Sequence, residues 1–292
     1  MKEYKIWLAK LITIVALTFL IIPFIAGGIV AATKHLGPQV NVIELTGVID
    51  DGSEVLKELY SSARDKDVKA IVLRIDSPGG AVAPSEEIYH AVKKLKSQKP
   101  IVVSMGSMAA SGGLYSAVGA SKILCQPGTQ TGSIGVVMQI PNFTAISKTV
   151  GFDMITVKSG ALKDAGNQFR PMTDDERRFL EGTAAKVHVA FIRAVAEGRN
   201  IPEEKVKAFA DGRVLLGSEA HDLGLVDGFG DVYDAGRLAL SLAKVEISGD
   251  EVPNLNFVNR KGGFIERALK SASSLPQLLR GGAAPSMSYL SF

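Results

Sequence analysis

The chain has 292 residues, 46% of them hydrophobic, which is enough apolar material for one large domain or two small ones. Its net charge of +3 is held entirely by Lys2, Lys5, Lys10 and Lys34 set against Glu3, so the remainder is formally neutral and no basic face for nucleic acid is expected. The single cysteine, Cys125, excludes an internal disulfide without deciding the compartment, and its setting in SKILCQ reads as an inert core position.

In chain order, the first element is the uncharged run from Leu11 to Ala32, LITIVALTFLIIPFIAGGIVAA. About 20 apolar residues span a bilayer core as a helix, and Pro23 and the Gly27-Gly28 pair are tolerated there. Three lysines precede the run and only Lys34 follows closely. The positive-inside rule therefore puts the N-terminus in the cytoplasm and everything after His35 outside it. A cleaved signal peptide is the rival reading, with IVAA near a possible cut. The run exceeds an ordinary signal-peptide core, so an uncleaved anchor is expected.

Beyond the anchor, strand and helix patterns alternate. VNVIELTG and VKAIVLRID are predicted as buried strands, with SEVLKELYSSAR as a helix between them. PSEEIYHAVKKLKSQ predicts a helix with a proline near its start and acids in its first turn. PIVVSMG, SKILCQ, IGVVMQI and DMITVKSG predict further strands, and TAISKTVG a short helix. TDDE forms a capping box at Thr173, opening a long helix that continues to about Gly198. PEEKVKAFA and VYDAGRLALSLAK are later helices. The alternation implies an α/β layered domain with a largely parallel sheet. The pattern weakens after about Val245. The remaining tail reads as a mobile extension containing one amphipathic stretch, GFIERALKSASSLPQLL.

Glycine gathers at the predicted strand ends, in DSPGG (Asp76–Gly80), ASGG (Ala110–Gly113) and TGSIG (Thr131–Gly135). Each can expose backbone N–H groups to a ligand, although a tight turn explains any one of them as well. No phosphate-loop motif is present. Ser111 lies in SMAASGGLYSA, where the small neighbours suit either a nucleophile or a tight packing contact. None of the four histidines has the setting of a triad base: His35 adjoins the anchor, His90 and His188 lie inside helices, and His221 sits late in the chain. Clusters with metal-ligand spacing are absent. A lysine base remains possible, since a neutral lysine can take a serine proton when burial pulls its pKa down from about 10.4. Lys163, in VKSGALKDAG, is one candidate, and spacing alone does not favour it over Lys158 or Lys122.

RIDSPGG, SMAASGGLYSAVGASKIL, TQTGSIGVV, VKSGALKDAG, RPMTDDER and ADGRVLLGSEAHDLGLVDGFG occur in order, and over about Val40 to Leu240 the chain resembles the signal peptide peptidase A family of membrane-anchored serine proteases. The resemblance implies a ClpP/crotonase-like layered β-α fold behind an N-terminal transmembrane helix. It divides the chain into a stub and anchor (1–35), a protease domain (36–245) and a C-terminal extension (246–292). It implies Ser111 as nucleophile, Lys163 as general base and Ser133 as the residue that orients the lysine. Backbone N–H groups of Gly79, Gly80 or Gly112 would form the oxyanion hole. No cofactor or metal is implied.

The same resemblance implies hydrophobic peptides such as cleaved signal peptides as substrates. It also implies a catalytic domain on the extracytoplasmic side of a bacterial inner membrane, and a homo-oligomeric ring in which serine and lysine can come from adjacent subunits. Two other readings are a crotonase-type acyl-CoA enzyme, disfavoured by the anchor, and an inactive scaffold binding membrane proteins, disfavoured by the joint presence of Ser111, Lys163 and Ser133. The tail GGAAPSMSYLSF is small and apolar, as a substrate of such a site would be, and is expected to occupy the groove of its own or a neighbouring chain.

Overall fold

A computed structural model of the chain describes Thr18 and residues 38–248, 251–258 and 287–290. The expected anchor (Leu11–Ala32) and the amphipathic stretch from Gly263 to Leu279 lie outside these residues. Among the described residues no helix is long and apolar enough to cross a membrane.

The first two predicted strands form as β1 (Gln39–Thr46) and β2 (Val68–Ser77), with α1 (Ser53–Arg64) between them. β3 (Gly79–Ala81) leads directly into α2 (Val82–Leu95), followed by β4 (Ile101–Ala109), α3 (Gly112–Ala117), β5 (Lys122–Cys125), β6 (Gln130–Gly132), β7 (Val137–Met138) and α4 (Thr144–Thr149). After a long irregular segment come α5 (Asp174–Arg199), α6 (Glu203–Lys207), β8 (Val214–Leu216), α7 (Gly217–Asp222), β9 (Gly228–Phe229), α8 (Val232–Leu242), β10 (Asn254–Phe257) and β11 (Met287–Leu290).

The main sheet runs β10-β1-β2-β4-β5-β9 with every pairing along this path parallel, and β6 and β8 attach at the far end of β4. A parallel sheet is covered on both faces, which is why its strands read as continuous apolar runs. The alternation along β2 shows both faces at work. Ile71, Leu73 and Ile75 enter the larger core with Leu59 of α1, Ile88 of α2, Leu114 of α3 and Phe191 of α5. Ala70 and Val72 point the other way, onto Ala235, Ala239 and Leu240 of α8.

Local chemistry explains the helix ends. Thr173 accepts from the Glu176 backbone N–H while the Glu176 carboxylate accepts from the Thr173 N–H, the capping box that opens the 26-residue α5. Helix α2 begins at Val82, two residues before Pro84. Glu86 and Glu87 therefore fall in its second turn, and the expectation of acids in the first turn is corrected.

Three further expectations are corrected. The strand predicted over Ile134–Ile140 shrinks to Val137–Met138, and no strand forms over Asp153–Gly160. Ile155 and Val157 in that second stretch are 87% and 95% exposed. β-Propensity measures fit to a half-buried pleated surface, and among the described residues this stretch has none to join. Last, the extension beyond Val245 is not wholly apart from the domain: Asn254–Phe257 pairs in parallel with β1 as the edge strand of the main sheet.

Candidate active site

Three strand ends converge where β4 gives way to α3. The Ala110 N–H donates to Ser77 O at the end of β2 (3.1 Å), and the Ser111 N–H donates to Gly132 O at the end of β6 (2.9 Å). The Thr131 hydroxyl donates to Ala109 O (2.7 Å) and closes the corner.

Ser111 is the N-cap of α3, with φ 53° and ψ −117°. A non-glycine residue held there costs about 1–3 kcal/mol and persists only where its surroundings over-determine it. Its Oγ is also buried and makes no hydrogen bond among the described residues. Leaving a buried hydroxyl unpaired costs about 1–3 kcal/mol more. Of the four buried side-chain polar atoms that lack a hydrogen bond among the described residues, those of Tyr89, Ser111, Thr144 and His188, only that of Ser111 sits on a backbone of positive φ.

The glycines beside it are required by space. A Cβ on Gly80 would lie 2.1 Å from Ile49 O. One on Gly112 would lie 2.5 Å from Ser85 Oγ and 3.2 Å from Gly80 N. The backbones at Gly80 and Gly112 are thus in close approach beside Ser111. Gly79 differs, because its N–H donates to Ser77 Oγ at 3.1 Å. All three expected oxyanion donors meet here, since a Cβ on Gly112 would lie 3.2 Å from Gly80 N and 3.3 Å from Gly79 Cα. Ser133 follows the residue that holds the Ser111 amide; it is buried, has φ 51°, and donates its N–H to Arg213 O (2.7 Å).

Lys163 is not part of this cluster within one chain. It lies in the irregular segment between α4 and α5, exposed, and its side chain makes no hydrogen bond or ion pair among the described residues. The strand predicted over DMITVKSG, just before it, does not form among the described residues. Its neighbour Asp164 is firmly held: Lys158 and then Arg170 hydrogen-bond its carboxyl and hold it down to about 2. Arg170 does the same for Glu176, also lowered to about 2. The segment leading to Lys163 exposes the apolar side chains of Ile146, Val150, Ile155 and Val157.

Beside Ser111 a second, three-stranded sheet runs β3-β11-β7, both pairings antiparallel. Tyr289 of the C-terminal strand stands opposite Gly80, and Met287 opposite Met138. The strand also lies against α2 and α3. The gap between Gly79–Ala81 and Val137–Met138 is therefore the width of one extended peptide.

Cys125 is buried, and burial pushes its thiol up to about 11, so it is no nucleophile. Among the described residues no three His, Cys, Asp or Glu side chains could together hold a metal ion. Sequence reasoning missed the strained backbone at Ser111 and Ser133, which no residue type announces. It also assigned no role to Asp164 and Arg170, although they stand in the motifs LKDAG and RPMTDDER, and it read Glu176 only as the partner of the Thr173 cap.

The model of Peptidase family S49 matches residues 93–246, and that of Clp protease matches residues 38–131. A candidate protease of Synechocystis sp. is 41% identical over 218 residues, which are 72% of this chain and 78% of that one. The chloroplastic serine protease SPPA of Arabidopsis thaliana is 31% identical over 88% of this chain but only 35% of its own length. A candidate signal peptide peptidase SppA of Enterococcus faecium is 36% identical over 72% of this chain and 60% of its own. A ClpP-like α/β arrangement agrees with the parallel sheet and two helical layers described above.

Proposed function

The chain belongs to peptidase family S49 and is a serine peptidase, and from that premise we propose that it is a membrane-anchored endopeptidase that uses a Ser111-Lys163 dyad on hydrophobic peptides such as cleaved signal peptides. The observation that carries this reading is the strained, buried Ser111 hydroxyl beside the Gly80 and Gly112 backbones, with no hydrogen-bonding base among the described residues. In this reading the base comes from a second copy. The exposed apolar side chains of Ile146, Val150, Ile155 and Val157 precede Lys163 in the chain, and a neighbouring copy is the occupant that would bury them and bring Lys163 to Ser111. A ring of such copies is the assembly proposed, and no cofactor or metal is needed.

The chemistry then runs as follows. Ser111 Oγ attacks the scissile carbonyl and gives its proton to Lys163 Nζ. The Gly80 and Gly112 N–H groups stabilise the oxyanion of the tetrahedral intermediate. As the C–N bond breaks, Lys163 passes the proton to the leaving amine, and the acyl group remains on Ser111. Water, deprotonated by the same lysine, hydrolyses this ester and restores the serine. The Ser133 hydroxyl orients the amine. A lysine acts as a base only in the neutral form, which desolvation favours, and a seat against a neighbouring copy supplies that desolvation.

An extended substrate would add as a strand between β3 and β7. The chain's own Met287–Leu290 in that gap supports this reading, because it demonstrates that the groove accepts backbone pairing on both sides. With the anchor over Leu11–Ala32, the domain would work on the extracytoplasmic face of a bacterial inner membrane, where spent hydrophobic segments accumulate.

The test is cleavage of a hydrophobic peptide by wild type, Ser111→Ala and Lys163→Ala proteins, separately and after co-assembly. Each single variant should lose about 10³-fold or more in kcat. A one-to-one co-assembly should regain up to about a quarter of wild-type activity, since some sites then pair an intact serine with an intact lysine from the neighbour. No recovery defeats the shared site, and full activity in Lys163→Ala defeats the lysine base.

A further inference from the structure

Between Val150 and Thr173 the chain forms no helix or strand, yet its ionic contacts are more elaborate than a connecting loop requires. We infer that Arg170, held by Glu176, clamps Asp164 and so positions the adjacent Lys163 for proton transfer. This rests on the assignment of Lys163 as the base.

The clamp begins at a rigid element. Glu176 lies in the first turn of α5, whose far end is anchored in the core by Phe191 and Val195. The Glu176 side chain is 3% exposed, and it accepts from the Thr173 N–H at 2.9 Å. Arg170 bridges outward from it. Its Nη1 donates to Glu176 Oε2 (2.9 Å), and its Nη2 also reaches Glu176. On the other side, Nε and Nη2 donate to Asp164 Oδ2 at 3.1 and 2.8 Å. Lys158 closes the far side of Asp164 and also donates to Ala161 O (2.8 Å). The backbone of Lys163 is thus bounded on one side by the Lys158–Ala161 tie. On the other it is bounded by the Asp164 carboxylate, and its own N–H turns back to Gly160 O (3.1 Å).

Energetics argue for positioning over bulk stability. Ion pairs withdrawn from water return little net stability, because desolvation offsets their attraction. What a forked guanidinium adds is geometry, with two carboxylates fixed relative to one plane. A general base needs that geometry, since a displacement of about 1 Å can cost about 100-fold in rate. A mere connector does not.

The experiment measures kcat, KM, thermal stability and assembly of the full-length protein, with a hydrophobic peptide as substrate, for Asp164→Asn, Arg170→Lys and Lys163→Ala. Asp175→Asn, an exposed acid paired with Arg178, serves as control. Asp164→Asn leaves the Arg170–Glu176 pair and the cap of α5 in place. It should lower kcat about 10- to 100-fold with KM within about twofold, at unchanged melting temperature and assembly. Arg170→Lys, which keeps the charge but loses the fork, should fall between it and wild type. If Lys163→Ala is inactive while Asp164→Asn and Arg170→Lys keep wild-type kcat, the clamp is overturned and the base assignment stands. If Lys163→Ala is active, the base assignment fails and the clamp with it. If kcat falls only in step with melting temperature or assembly, the residues are structural and the inference is overturned.

Discussion

Gly112→Ala, alone and combined with Ser85→Ala, separates packing from catalysis beside Ser111, the proposed nucleophile. The added methyl would lie 2.5 Å from Ser85 Oγ, a contact that cannot stand without movement. Overpacking of this kind costs about 1–3 kcal/mol, partly offset by the helix preference of alanine over glycine, up to about 1 kcal/mol. The expected loss is about 1–2 kcal/mol. Ser85 is fully buried and donates to Ala81 O at 2.9 Å, so Ser85→Ala alone costs about 1 kcal/mol. Additivity would put the double variant about 2–3 kcal/mol below wild type. Removing the clashing oxygen should instead leave it only about 1 kcal/mol below, a favourable coupling of roughly 1–2 kcal/mol. Thermal denaturation reads this directly, at about 2–4 °C per kcal/mol for a domain of this size. Activity should not follow stability. The methyl still sits 3.2 Å from Gly80 N, where the proposed oxyanion would approach, and losing one such donor costs about 10²–10³ in kcat. A double variant that regains both stability and kcat would refute the pairing of Gly80 and Gly112 as oxyanion donors. One that regains neither would refute the Ser85 contact as the barrier.

Two other outcomes are expected. Ser111→Gly removes the φ strain and the unpaired buried hydroxyl and gives back about 0.5–1 kcal/mol to glycine's backbone entropy, so it should be inactive yet melt at least about 2–4 °C higher than wild type, whereas Ser111→Ala keeps its Cβ and gains less; equal melting temperatures for all three would show that the serine is unstrained. Deleting the residues after Gly281 removes the strand between β3 and β7 and should raise cleavage of a short hydrophobic peptide, and unchanged kcat/KM would show that the tail does not compete for the groove.

The elements best legible in the sequence are those with a local cause. α1 forms over the twelve residues of SEVLKELYSSAR because its apolar side chains recur at helical spacing, and α5 starts where Thr173 and Glu176 can cap each other. β1, β2 and β4 follow from β-branched runs buried on both faces. DMITVKSG shows the limit. Its composition is that of a strand, but pairing needs a partner edge, and a single chain presents none to it. Asn254–Phe257 shows the converse: four residues in a stretch of weak pattern become a strand because β1 offers an open edge.

The candidate site divides along the same line. By itself the sequence determines which groups are available: one serine among small residues, glycines at strand ends, no suitably placed histidine, and a lysine in a quoted motif. Those are matters of residue type and order. Only the tertiary structure decides that the ends of β2, β4 and β6 meet at Ser111, that its backbone is forced to positive φ, and that Gly80 lies against Gly112. The same structure leaves Lys163 exposed in the irregular segment between α4 and α5, with no hydrogen bond to Ser111 among the described residues. Strain, close approach and exposure arise between segments far apart in the chain, and no local pattern encodes them.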